Sequence, residues 1–121
     1  MPAPLPPPDA DGRRAGRALA EVAYRLGDRC DREGDLDRAA RWFRRAAETG
    51  WPGAALRLAD VLGRLADDRP ESSEVLLAEA IRWISRASDA TSPAAIGLIT
   101  DTLNRHQRLA ARRGGDSVTV G

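Results

Sequence analysis

The sequence predicts an all-α protein, a short α-solenoid of antiparallel helix pairs with two hairpins and a C-terminal capping helix. Apolar residues recur at three- and four-residue spacing from Arg14 to about Arg113, and glycine or proline interrupts this pattern at intervals. One passage also occurs twice. Residues 41–64, RWFRRAAETGWPGAALRLADVLGR, return at 82–105 as RWISRASDATSPAAIGLITDTLNR, with nine identities in 24 positions. Such a period is typical of stacked helix pairs, each of which buries its apolar face against the next.

The first helix is predicted to start at Arg14 and to end before Gly34. Its apolar stripe consists of Leu19, Val22, Ala23, Leu26 and Cys30. Gly34 ends the helix, and the Asp35 carboxylate is placed to accept unpaired N–H groups from the first turn of the next one. Two helices joined by so short a turn are expected to lie antiparallel.

Four further helices follow from the same pattern. The second covers about 36–49 and ends at the Gly-rich turn GWPG, and the third covers about 53–66. Pro70 interrupts the chain after the third helix. The fourth is predicted at about 73–88, and Pro93 begins the fifth, which reaches about Arg113.

The two ends of the chain differ from this repeat domain, residues 14–113. Residues 1–13 hold five of the eight prolines and are predicted to form a disordered Pro-rich leader. Residues 114–121, GGDSVTVG, are predicted to be a flexible tail.

Composition excludes several classes of protein. The net charge is +1, so the overall balance does not favour nucleic acid or an anionic membrane. All 19 basic residues are arginine, which we interpret as the coding bias of a GC-rich, bacterial genome. Cys30 is the only cysteine, so no intrachain disulfide can form. It is expected to be a small buried residue. No apolar run reaches the ~18 residues that would span a membrane, and a cytoplasmic location is expected.

The first repeat resembles a unit of the Sel-one-like branch of the tetratricopeptide superfamily. The resemblance is carried by RLGDRCDREGDLDRAARWFRRAAETGWPGAALRLA and covers roughly residues 18–110, although it weakens toward the C-terminus. Its matching residues are Leu26, Gly27, Gly34, Ala39, Trp42, Phe43, Ala46, Ala47, Glu48, Gly50, Ala54 and Leu58. Small residues at these positions let helix backbones approach closely, and Trp42 and Phe43 fill the space toward the neighbouring pair.

The resemblance implies a non-enzymatic scaffold that binds a protein or peptide on the concave face lined by the first helix of each pair. Carried over to this chain, it places Glu21, Tyr24, Asp28, Asp31, Asp60 and Asp101 on that face. Three of these, Asp28, Asp60 and Asp101, each come two residues after an apolar residue, at Leu26, Leu58 and Ile99. Such a row of carboxylates would attract a basic segment. Ion pairing of Asp28 with Arg25 or Arg32 at helical spacing is the simpler alternative.

Other interpretations stay open. Trp51, in the turn GWPG, is a candidate anchor for a partner or packs over its own turn. The less favoured function is that of a regulatory or nucleic-acid-associated helical domain, in which the basic stripe from Arg105 to Arg113 contacts nucleic acid or the chain is the sensor part of a regulator. Self-association through the fifth helix is a further alternative.

The sequence offers no enzyme motif. His106 is the only histidine and has no second histidine with which to bind a metal, and no glycine-rich phosphate loop follows a strand. No cofactor and no metal are therefore expected.

Overall fold

The computed structural model describes residues 8–87 and 92–118, with side chains described in residues 12–87 and 92–112. Five α-helices and one 3-10 turn occupy these ranges, and no strand does, which confirms the all-α prediction. The elements are α1 (Pro8–Arg32), α2 (Leu36–Glu48), α3 (Ala54–Asp68), the 3-10 turn Pro70–Ser72, α4 (Ser73–Arg86) and α5 (Pro93–Val118). None of the described helices is long and apolar enough to cross a bilayer.

Helix α1 begins at Pro8, six residues earlier than predicted, so the expected leader 1–13 is corrected at its C-terminal end. Proline is accepted in a first helical turn because its missing N–H would have no partner there. Residues 1–7 lie outside the described range.

Helix α5 likewise extends further than predicted and reaches Val118, through the first part of the expected tail 114–121. It continues through Gly114 and Gly115 despite their low helix propensity, and nothing in the described surroundings explains this. The last part of the predicted tail, residues 119–121, lies outside the described range.

The turn between α1 and α2 has the predicted chemistry. Gly34 has a φ of +80°, a conformation that glycine adopts without the strain a Cβ would cause. The Asp35 side chain accepts a hydrogen bond from the backbone N–H of Arg38 at 3.2 Å and so caps α2. The two helices turn back on each other and pack together.

The closest approach of α1 and α2 occurs at Gly27. A Cβ at this position would lie 2.7 Å from Cδ1 of Phe43, whose side chain is fully buried. The absence of a side chain at Gly27 therefore creates the space that the Phe43 ring fills. This is the physical role that the sequence indicates for the glycine.

Helix α3 lies at the centre of the fold and contacts α2, α4 and α5. Its predicted apolar residues are all buried: Leu56, Leu58, Val61, Leu62 and Leu65. The segment DDRPESSEV, which separates the repeats, forms the end of α3, the 3-10 turn and the start of α4. Ser73 secures this junction because its hydroxyl donates to the carbonyl oxygens of Ala66 (2.6 Å) and Arg69 (3.0 Å).

Equivalent positions of the repeated passage are buried to different extents. Ala54 and its counterpart Ala95 are both fully buried, whereas Leu62 is fully buried and its counterpart Leu103 is 50% exposed. Helix α3 is followed by helices that cover it, but within the described residues no helix follows α5. The repeated sequence therefore leaves apolar surface uncovered on α5.

Candidate functional site

A chain of ion pairs joins α1 to α3 and includes three of the predicted site residues. Arg57 on α3 donates through Nη2 to Oδ1 of Asp28 (2.8 Å) and to Oδ2 of Asp31 (3.2 Å). Arg64, two turns later, donates through Nη2 to Oδ1 of Asp31 (2.8 Å) and to Oδ2 of Asp60 (3.0 Å). We call these five residues the carboxylate–arginine chain.

The structure thus brings Asp28, Asp31 and Asp60 together, but each carboxylate is neutralised by an arginine of the same protein. Asp28 also pairs with Arg32, one turn along α1, as the simpler interpretation of the sequence expects. A charged surface attracts an oppositely charged partner only to the extent that its own ions leave it unbalanced. At these three positions the structure therefore has carboxylates that alternate with arginines, and not the expected row of unpaired carboxylates.

Arg57 is held by aromatic rings as well as by carboxylates. Its guanidinium carbon lies 4.8 Å from the ring centroid of Phe43 and 5.8 Å from that of Tyr24, and Nη1 lies 3.5 Å from the Tyr24 hydroxyl oxygen. Partial burial alone would lower the pKa of Arg57, but hydrogen bonds to Asp28 and Asp31 outweigh that effect and raise the pKa. The cation therefore stays charged at this partly buried site.

Hydrogen bonds from arginines lower the pKa values of three carboxyl groups, those of Asp28, Glu79 and Asp37, the last through Arg69. Hydrogen bonding to Arg57, and then to Arg32, lowers the pKa of Asp28 from 3.8. The pKa of Glu79 is lowered from 4.5 mainly by Arg44, which donates from Nε (2.8 Å) and Nη2 (2.9 Å). Glu79 also accepts a hydrogen bond from Nε1 of Trp83 at 3.0 Å. The ionised carboxylates are thus preferentially stabilised in the folded chain.

These shifts predict a loss of stability in acid. A carboxyl whose folded pKa lies below its unfolded value contributes stability that is fully present above the unfolded pKa and is lost as the pH falls through the folded one. For Asp28 and Glu79 the loss is expected to begin near their ordinary values, 3.8 and 4.5, and to grow below them. Urea unfolding at several pH values measures it, and the Glu79→Gln variant should show a smaller loss between neutral pH and pH ~3.

Asp101→Asn is the matched control for that experiment. Asp101 is exposed on α5 and has no partner among the described residues, so this variant removes one carboxylate without breaking an ion pair. An equal acid loss in wild type and Glu79→Gln would contradict the prediction.

The remaining predicted residues are in different surroundings. Glu21 is half-exposed and pairs with Arg25 at 2.7 Å, one turn away on α1. Tyr24 packs edge-on against Phe43, with ring centroids 5.5 Å apart, and also contacts the Trp51 ring at 6.3 Å. Trp51 is half-buried and packs against the alanines beneath its turn, which corresponds to the second interpretation, packing over its own turn. Asp101 does not join the carboxylate–arginine chain.

Helix α5 carries the alternative site, the basic stripe. Arg105 does not point freely outward, because its Nε donates to both carboxylate oxygens of Asp67 on α3, each at 3.1 Å. Arg108 and Arg112 are exposed, and Arg113 lies outside the residues with described side chains. The stripe therefore offers fewer free cations than its sequence indicates.

Sequence reasoning missed two features of α2. Arg44 connects α2 to α4 through Glu79, and only the tertiary structure could pair residues this far apart in the chain. The other arginines of α2 border a cleft of about 580 Å³ between α1 and α2, which we call the α1/α2 cleft. It is lined by Leu26, Arg29, Cys30, Glu33, Arg38, Arg41, Trp42 and Arg45. The helical spacing of the arginines was the available signal.

Trp42 and Cys30 form part of the floor of this cleft. Trp42, expected to be a core wedge, is only half-buried, whereas its counterpart Trp83 is 9% exposed. The difference arises because no described helix covers the α1/α2 cleft. Cys30 is 8% exposed, as expected of a small apolar residue.

No cluster of three metal-ligating side chains occurs within the described part of the chain. His106, on α5, is exposed and has no second histidine beside it. Comparison with protein-family models, with curated proteins and with solved structures found no match. The resemblance to Sel-one-like repeats therefore stays a prediction that rests on the residues alone.

Proposed function

We propose that this protein is a non-enzymatic interaction module, a short α-solenoid of two helical hairpins and a capping helix that binds a protein or peptide in the cytoplasm. The supporting observation is the distribution of exposed apolar side chains among the helices. Large exposed apolar residues occur on α1, α4 and α5, and none is found on the described α2 and α3. They are Leu19, Val22, Val75, Ile81, Ile96 and Leu103. Uncovered apolar surface at both ends of a helical array suits a binding module.

The carboxylate–arginine chain supports the same proposal by fixing the geometry of α1 against α3. A surface that is rigid before binding loses less conformational entropy when a partner docks on it. The ion pairs of Arg57 and Arg64 weaken the predicted preference for a basic segment. Such a segment would compete with these two arginines for the carboxylates of Asp28, Asp31 and Asp60.

Capture from an extract of the cells that make the protein tests the proposal. The wild-type chain should retain specific proteins that the Leu19→Ser/Val22→Ser variant loses, because that variant replaces the exposed apolar residues of α1. Both substituted side chains are more than half exposed, at 70% and 53%, so circular dichroism should show equal helix content. The control is Arg17→Ser, which changes an exposed polar residue on the same helix and should leave capture unchanged.

Three outcomes would contradict or redirect the proposal. Retention of nothing above empty resin, with a monomer by light scattering, contradicts it. Loss of the retained proteins after nuclease treatment supports the alternative function, nucleic-acid binding through the α5 stripe. A dimer that dissociates when α5 is altered at Ile96 or Leu103 supports self-association instead.

A further inference from the structure

We infer that the α1/α2 cleft binds an acidic amphipathic helix of a partner protein. The inference rests on the proposed function and gives its partner a chemical class. It differs from the expectation of a basic segment, because the α1/α2 cleft has the opposite charge to the predicted row of carboxylates. Its floor, its rim and its length each support this occupant.

The floor of the cleft is apolar and continues along α1. Leu26, Cys30 and Trp42 form it, and Val22 and Leu19 extend the same stripe at helical spacing toward the N-terminus. Leu19 is 70% exposed and Val22 is 53% exposed. From Leu19 to Cys30 the stripe measures about 16 Å, equal to about three helical turns. Its length therefore suits an apolar helix face better than a single side chain.

The rim of the cleft is strongly basic. Four arginines border it, against the single carboxylate of Glu33. Arg29 pairs with Glu33 at 3.2 Å and Arg38 with Asp35 at 3.8 Å, and these arginines are more than 70% exposed. Exposed pairs of this kind hold their partners weakly. Arg41 and Arg45 form no ion pair with any described carboxylate, so they are available to a ligand.

Arg41 and Arg45 lie one turn apart on α2, at the i and i+4 positions of one helix face. A partner helix with an apolar stripe on the floor would place its flanking glutamates or aspartates near these guanidinium groups. The arginine fork matches the geometry of carboxylate and phosphate groups. The apolar floor favours a protein helix over an inorganic anion, because phosphate or sulfate would leave Leu26 and Trp42 uncovered.

A second apolar groove, between α4 and α5, lacks the charged rim that the α1/α2 cleft has. It is lined by Ile81, Ile84, Ser85, Ile99, Thr102 and Leu103, and no charged side chain among the described residues borders it. Nothing there indicates the sign of a partner's charge, whereas the α1/α2 cleft specifies both an apolar face and negative flanks.

The test is fluorescence anisotropy with the full chain and a labelled synthetic peptide of about 18 residues, leucine on one helix face and glutamate on both flanks. The expected result is saturable binding that weakens as salt is raised from about 50 to about 300 mM, because charge pairs at an exposed rim are screened. A peptide with lysine in place of every glutamate should bind at least ~10-fold more weakly.

The Arg41→Gln/Arg45→Gln variant should lose at least ~10-fold in affinity for the acidic peptide. The matched control is Arg108→Gln/Arg112→Gln, which removes the same charge from exposed positions on α5 and should bind as wild type does. Leu19→Ser/Val22→Ser should also weaken binding, because it removes the apolar continuation of the floor.

Several results would overturn the inference. These are absence of binding to the acidic peptide, equal binding of the lysine peptide, or an Arg41→Gln/Arg45→Gln variant that binds as wild type. Tighter binding of duplex DNA than of the acidic peptide, lost in that same variant, would show that the cleft recognises phosphate. If the acidic peptide fails while the wild type still captures proteins from extract, only the assignment of the cleft is wrong. If neither occurs, the proposed function fails as well.

Discussion

Replacement of Phe43 by alanine is expected to lower the free energy of unfolding by about 3–5 kcal/mol, the usual cost of removing a buried aromatic ring. Phe43 is fully buried, contacts Tyr24 edge-on and lies beneath the guanidinium of Arg57. A domain of this size has a total stability of only about 5–15 kcal/mol. Urea unfolding followed by circular dichroism should therefore show a large fall in the midpoint. The control Leu19→Ala, at a side chain 70% exposed, should change stability by less than ~0.5 kcal/mol.

Gly27, against which the Phe43 ring packs, gives a second test of the contact between α1 and α2. By helix propensity alone, Gly27→Ala should stabilise α1 by about 1 kcal/mol. We expect destabilisation by about 1–3 kcal/mol instead, since the new Cβ would overlap the buried Phe43 ring and force a shift in a well-packed core. Combined with Phe43→Leu, Gly27→Ala should cost less than it does alone, because leucine vacates part of that space. A stabilising Gly27→Ala would show that the helices do not approach so closely.

Substitution of Arg57 by methionine is expected to lower the free energy of unfolding by about 1–2 kcal/mol. Removal of one member of a fully buried ion pair costs about 3–5 kcal/mol, and the figure is reduced here because a third of the Arg57 side chain is exposed to solvent. Methionine keeps much of the packing against Phe43 but leaves Asp28 and Asp31 without their shared cation. Urea unfolding at neutral pH measures the loss.

The pH dependence separates charge from packing in this variant. Because Arg57 is the main cause of the lowered pKa of Asp28, the difference in stability between wild type and Arg57→Met should narrow as the pH falls below 3.8, the ordinary pKa of this carboxyl. A difference that stays constant with pH would mean that packing, and not charge, accounts for it. Arg25→Met is the control, because the Arg25–Glu21 pair is well exposed and contributes little.

The sequence by itself determined the helices, their order and much of their buried side. Periodic apolar residues predict which face of α3 is covered, and Gly34 and Asp35 indicate the turn and cap, because these are properties of a few consecutive residues. The same local reasoning placed the start of α1 too late, because proline was taken as evidence against helix when it suits a first turn.

The tertiary structure alone decided which charges on different helices meet. Asp28 was recognised as a candidate from its spacing, but its pairing with Arg57 on α3 follows only from how the helices are arranged in the fold. Likewise, Arg44 reaches Glu79 on α4, while Arg41 and Arg45 on the same helix form no ion pair with a described carboxylate and border an open cleft. A helical pattern specifies the face on which a charged residue lies, but ion pairing depends on distances between side chains far apart in the chain, and only the packed fold sets these distances.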